Sequence, residues 1–414
     1  MRRGLTCSLA FAVLVTLFSG SVQAAQPFPV DFHAFTTSSD FLAGTFRGTR
    51  LAGAGGAITL ATRLSSGNYT DPYGYGVVHY RSGSWKSPWR RTGFGFTELV
   101  ASWNASTPRG TWIQVEMQAR TSKGDLTKWY VMGVWAFGDG TIHRTSVGGQ
   151  GDANGFIAID TFFAKDHPMV GYRLRVKLLR KVGSGNAPTL SLVGAVASDA
   201  PNVKPSIPSP LGGAEGTVLD VPRYSQEIHA GEYPQWDGGG EAWCSPTSTE
   251  MVVEYWDRHP TRSELDWVNP SYRDPQVDFA ARYTYDYHYQ GTGNWPFNTA
   301  YAAHFGLEGF VTQLRSLKEA EQYIKAGIPL VASIAANPNK LEGFLFDKGT
   351  NGHLLVIVGF TRSGDVVAND PAAWSNRTVR RVYDRAEFER AWLPATGGIV
   401  YVIHPPSVAV PVTS

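Results

Sequence analysis

Cysteine is almost absent: the 414 residues contain two, Cys7 and Cys244. That excludes a disulfide framework and the paired thiolates of a structural zinc site. No His-Glu-x-x-His run occurs, and His79, His143 and His167 lack ligand spacing, so no metal and no cofactor are expected. An excess of one charge is missing too, with 37 basic side chains against 35 acidic and Arg2 and Arg3 accounting for the difference. A balanced chain gives no reason to expect nucleic acid or an anionic membrane as partner. The apolar run at 5–18 is too short for a stable span.

What that run does resemble is an export signal. Arg2 and Arg3 precede it, and Val22 and Ala24 are the small residues a signal peptidase accepts, so residues 1–24 are read as a leader cleaved after Ala24. The Arg2-Arg3-Gly4-Leu5 start faintly resembles a twin-arginine signal, leaving the export route open. A secreted, extracellular product is expected, with Cys244 as its sole thiol. An exported protein gains no disulfide from one cysteine and exposes it to oxidation, which favours a thiol that is used.

Apolar content of 43% with 17% charged residues is that of a folded protein, and the length suits two domains. Residues 26–198 read as an all-β sandwich or jelly roll. Ile113, Val115, Met117 and Ala119 alternate with polar neighbours, as do Tyr172, Leu174, Val176 and Leu178. Shorter runs at 76–80, 129–135, 156–162 and 190–197 are separated by turn residues. Trp85, Trp89, Trp103, Trp112 and Trp129 either fill the sandwich or offer stacking faces to a cell-wall or other polysaccharide. Residues 199–217, with Pro201, Pro205, Pro208 and Pro210 ahead of Gly212, Gly213 and Gly216, read as a linker.

Residues 218–405 mix helix and strand, and 406–414 form a tail. Strands are expected at 218–224, 328–334, 354–360, 366–369, 379–383 and 398–404. Capping boxes at Ser316/Glu319 and Asp384/Glu387 open two helices, a third covers 297–305, and 257–296 reads as turns rich in tyrosine.

Within this half, residues 241–256 stand out. Ser245-Pro246 after Cys244 predicts a helix start, with Ser245 as cap, and Met251, Val252, Tyr255 and Trp256 form an apolar stripe. Cys244 would then lie at the positive end of a buried helix, a placement that favours a thiolate nucleophile. Such a thiol needs a base and the base an orienting group. His353, at the mouth of the apolar strand 354–360, is the candidate base. A hairpin through 361–364 returns the chain to Asn369-Asp370-Pro371, so Cys244, His353 and Asp370 would converge.

These residues, with Val221-Pro222-Arg223-Tyr224-Ser225-Gln226, Cys244-Ser245-Pro246-Thr247-Ser248 and Gly352-His353, resemble the C39-like peptidases, papain-fold cysteine peptidases related to bacteriocin-processing domains. The resemblance covers the second half. It implies an α+β papain-like domain in which Cys244 is nucleophile, His353 base and then acid, Asp370 the group holding the imidazole, and Gln226 an oxyanion donor. Two features depart from the pattern: a glycine-rich insertion separates Gln226 from Cys244, making Gln235 a rival, and Ser245 stands where the family usually has glycine. Trp236, Trp243 and Trp295 are candidates to line a cleft for a peptide or protein substrate. The expected activity is peptide-bond hydrolysis through an acyl-enzyme. Alternatives are a peptidoglycan amidase or endopeptidase, and a non-catalytic cell-surface binding protein.

Overall fold

Period-two alternation builds two seven-stranded antiparallel sheets from the first half. The computed structural model describes residues 28–411 apart from 54, 201–206 and 338; the leader expected at 1–24 lies outside the described residues. One sheet is centred on strands Glu98–Ser106 and Thr189–Ser198, the other on Thr111–Thr121 and Met169–Lys181. The two apolar stripes of the second sheet pair directly, Ile113 opposite Leu178, Val115 opposite Val176, Met117 opposite Leu174 and Ala119 opposite Tyr172. All eight are wholly enclosed.

Trp85, Trp103 and Trp112 are fully buried. Trp89 and Trp129 are half-buried under arginines, with the Arg173 guanidinium 4.7 Å from one ring centre and that of Arg175 4.1 Å from the other. The run 156–162 is not one strand but a hairpin of Gly155–Ala158 and Thr161–Ala164. Its turn puts Ile159 at φ 57°, a left-handed conformation that is uncommon for a β-branched side chain.

The second half carries a six-stranded antiparallel sheet in the order Glu308–Gln313, Ile399–His404, Leu330–Ala336, Thr350–Phe360, Val366–Asn369, Arg380–Tyr383. The Cys244–Tyr255 helix packs on it, and Ser248 Oγ donates to the Leu354 carbonyl at 3.1 Å. Ser316 and Asp384 cap the Leu317–Lys325 and Arg385–Thr396 helices as their sequences predict. Two expectations fail. Residues 218–224 form no strand beyond a bridge from Val218 to Gly359, because the chain peels away to reach Gln226. Within the stretch read as turns, Pro275–Thr284 is helical, with Pro275 in the first turn and Val277, Ala280, Ala281 and Thr284 buried at helical spacing.

The halves share one apolar cluster, which runs from Trp85 and Trp103 to Met251, Phe297 and Tyr401. Strand Glu98–Ser106 meets the second half at its centre: Asn104 Nδ2 donates to the Gly309 carbonyl at 2.8 Å and Oδ1 accepts from the Gly309 N–H at 3.1 Å. Arg144, 0% exposed, donates to the Arg282 carbonyl at 2.8 Å. The Pro/Gly stretch between the halves is fastened from Ser209 onward, where Glu389 and Glu321 accept from the Ser209, Gly212 and Ala214 N–H groups. Among the described residues, no helix is long and apolar enough to cross a membrane.

Candidate active site

The helix begins at Cys244 itself. Trp243 occupies the cap position with no side-chain cap, and the Thr247 N–H reaches back to the Trp243 carbonyl at 3.0 Å. The start therefore precedes the expected one. Pro246 is still tolerated, since N–H groups of a first turn have no intrahelical acceptor. Ser245 is buried instead of capping, its Oγ 3.0 Å from the Tyr401 hydroxyl. Residues 245–253 are all buried, so the helix is enclosed well beyond one stripe. No acidic side chain sits in the first turn, which leaves the positive end of the macrodipole facing the half-exposed sulfur.

His353 stands near the start of strand Thr350–Phe360, and Val356 of that strand pairs with Asn369, so Asp370 emerges at the same end of the sheet. Both side chains are fully buried, with His353 Nε2 2.8 Å from Asp370 Oδ1. Asp370 is further held by the Tyr383 hydroxyl, 2.7 Å from Oδ2, and by the Ala372 N–H, 3.0 Å from Oδ1. The other ring nitrogen, Nδ1, completes no hydrogen bond, and the Cys244 thiol is the further group acting on the ring. Burial opposes a charge on His353, but the Asp370 carboxylate and its hydrogen bond, with Cys244, outweigh it and push the pKa up to about 10. Burial likewise opposes the Asp370 charge, yet His353, Tyr383 and the Ala372 N–H hold its pKa below the usual carboxylate range. The Phe346 ring meets His353 edge-on with centres 4.9 Å apart, fixing the imidazole plane.

Gln226 is buried at the same place. Its N–H donates to the Pro371 carbonyl at 2.9 Å, and Asn369 Nδ2 donates to the Pro222 carbonyl at 2.8 Å, tying the two motif segments together. The glycine-rich insertion does not carry Gln226 away from Cys244. It folds back so closely that a Cβ on Gly240 would lie 2.5 Å from the Gln226 carbonyl oxygen, and Gln226 Nε2 donates to the Glu241 carbonyl at 2.6 Å. Gln235 is exposed on the outer part of the insertion and does not line the cleft.

Cys244, His353 and Gln226 open onto a cleft of about 580 Å³. Of the three tryptophans expected there, Trp295 lines it. Trp243 is fully enclosed, its Nε1 donating to the Trp236 carbonyl at 2.7 Å, and Trp236 packs with it among Val277 and Ala281; neither reaches the cleft. One wall comes from the first half of the chain, the Ile159–Asp160–Thr161 hairpin turn. Burial pushes the Asp160 carboxyl up to about 7 despite the Trp295 N–H at 2.8 Å. Tyr383, Phe346 and this hairpin had no local signal in sequence, because each reaches the site only through tertiary packing.

Two family models match the chain: the peptidase C39 N-terminal domain over residues 31–198 and the peptidase C39-like family over residues 218–400. The second half is C39-like. That match supports a peptidase-type function. No curated protein matches the chain. Three of the solved structures that match are alike only weakly. A bacteriophage CBA120 tailspike protein 4 domain is 9% identical, covering 39% of this chain and 20% of that one at a TM-score of 0.18. The Clostridium thermocellum endo-1,4-beta-D-xylanase 10B modules are 11% identical, covering 48% and 33% at 0.19. A family two carbohydrate esterase from Cellvibrio japonicus is 11% identical, covering 55% and 50% at 0.17. The chain spans half or less of each of these structures, and scores of that size carry no argument.

Proposed function

We propose that the C39-like half is a papain-like cysteine peptidase domain and that the whole chain is a secreted peptidase. The observation carrying this reading is a buried His353–Asp370 pair whose second imidazole nitrogen has no hydrogen-bond partner, in a cleft that it shares with a half-exposed cysteine at a helix start acting on the same ring. In the proposed reaction the Cys244 thiolate attacks the scissile carbonyl carbon and a C–S bond forms. Negative charge moves to the carbonyl oxygen, where the Gln226 Nε2–H and the Cys244 backbone N–H would receive it. Collapse breaks the C–N bond as His353 Nδ1 gives its proton to the departing amine. A water then attacks the thioester while His353 takes its proton, releasing the acid and the thiolate. Export rests on the basic and apolar start of the chain. The β-half shapes substrate choice through the Ile159–Thr161 wall, and that role does not require its tryptophans to grip a sugar.

Digestion of a peptide library by wild type and Cys244→Ala, side by side, tests the reading. Cleavage should fall by at least about 1,000-fold in the variant while its melting temperature stays close to wild type. Equal cleavage by both proteins would remove Cys244 from the chemistry.

A further inference from the structure

A second histidine cluster lies behind the Cys244 helix start. His229 ends the Glu227–His229 turn, Glu232 follows three residues later, and Asp278 projects from the Pro275–Thr284 helix. His229 Nδ1 is 2.7 Å from Glu232 Oε2 and 3.4 Å from Asp278 Oδ2, and one donor atom from each residue falls within a 4.8 Å span. His229 and Asp278 are fully buried, and neither Asp278 oxygen receives a hydrogen bond. A buried carboxylate without donors is costly, and one imidazolium cannot balance two carboxylates. We propose that His229, Glu232 and Asp278 bind a divalent transition metal, zinc by preference.

The donor set selects the ion. An imidazole nitrogen disfavours calcium and magnesium, which take oxygen ligands, and the lack of a thiolate disfavours copper(I). A neutral imidazole with two carboxylates balances a dication. It supplies three of zinc's four tetrahedral positions at about 2.0–2.2 Å, and a water would reach the fourth from the side of Glu232, whose side chain is 12% exposed. Spacing in the sequence hides the site because Asp278 lies on the helix that was read as turns.

Such an ion would be structural. The Gln226 carbonyl accepts from the His229 N–H at 3.0 Å, and the His229 ring centre is 6.0 Å from that of Trp243, the neighbour of Cys244. Metal would therefore pin the glycine-rich insertion to the Pro275–Thr284 helix and position Gln226 and the start of the catalytic helix.

The test is zinc titration of chelator-dialysed, full-length Cys244→Ala protein, followed by calorimetry and by elemental analysis after desalting. This background removes the thiol as a competing ligand. One equivalent should bind and raise the melting temperature, and cobalt(II) should give visible d–d absorption. Asp278→Asn and Glu232→Gln should each lose the equivalent and the melting shift. Glu232, less buried than Asp278, keeps the test decisive if Asp278→Asn does not fold. Absence of a stoichiometric equivalent, or one that survives both substitutions, overturns the site without touching the peptidase reading.

Discussion

The second half holds two buried histidine–carboxylate clusters with opposite wiring. At His353 a single carboxylate has both oxygens occupied, by the imidazole, the Tyr383 hydroxyl and the Ala372 N–H, while the ring keeps one nitrogen without a partner and lines a cleft together with the Cys244 thiol. At His229 the ring's Nδ1 faces two carboxylates at once, the Asp278 oxygens complete no hydrogen bond, and the remaining nitrogen is sealed without a partner beside Trp243. On the two proposed readings, the difference separates moving a proton from holding a charge. A proton carrier needs one stable ion partner and one open nitrogen, whereas crowded, under-satisfied carboxylates suit a cation.

The largest expected effect comes from removing the charge in the first cluster. On the proposed mechanism Asp370→Asn should lower kcat by about two to four orders of magnitude, as loss of the orienting carboxylate does in acyl-transfer triads. It should also move pH dependence. In wild type the His353 pKa is raised from 6.5 to about 10, so its contribution to stability is fully present below pH 6.5 and is lost as pH rises through 10. Without the Asp370 charge, burial dominates and the ring deprotonates at lower pH. The alkaline limb of kcat/KM and the alkaline loss of melting temperature should both shift downward. An unmoved alkaline limb would mean that Asp370 does not set the ring's charge.

Gln226 belongs to both regions, lining the cleft of one cluster and accepting through its carbonyl from the His229 N–H of the other at 3.0 Å. Gln226→Ala should reduce kcat by about 100- to 1,000-fold if its Nε2–H meets the developing oxyanion. The exposed Gln235→Ala serves as control and should stay within about twofold of wild type, since surface changes rarely matter. A loss of kcat/KM carried by a rise in KM alone in Gln226→Ala would assign it to substrate binding instead.

The two clusters were unequally legible in the sequence. Cys244, His353 and Asp370 each end or begin a strongly patterned element, so local signals located them and the hairpin register brought the last two together. The sheet was legible for the same reason, with Val366–Asn369 falling where its apolar run lies. Gln226 was assignable from a motif, but the close approach of Gly240 that keeps it in place is tertiary. The helix start was misread because a buried serine looks like a cap until Tyr401 is seen across from it. Asp278 and Tyr383 carry no motif. Their meaning depends on partners distant in the chain, as does the Ile159–Asp160 wall supplied by the other half.

Tyr383→Phe gives the smallest effect and the sharpest contrast between the clusters. The ring volume is kept and only the hydroxyl at Asp370 Oδ2 is lost, 2.7 Å away in wild type. One carboxylate oxygen then resembles those of Asp278. Loss of a hydrogen bond to a charged group should cost about 1.5–3 kcal/mol of stability. Asp370 has a depressed pKa in the folded state, so its contribution is present above the unfolded value of 3.8 and is lost as pH falls through the folded one. Tyr383 is one cause of that depression, and without it acid unfolding should begin at higher pH. The effect on kcat should stay well below that of Asp370→Asn, because the His353 bond to Oδ1 and the Ala372 N–H persist. Melting curves across pH 2 to 7, with kcat measured on the same samples, would check both halves of this expectation. A rate loss as large as that of Asp370→Asn would show that the hydroxyl, and not the carboxylate alone, orients the imidazole.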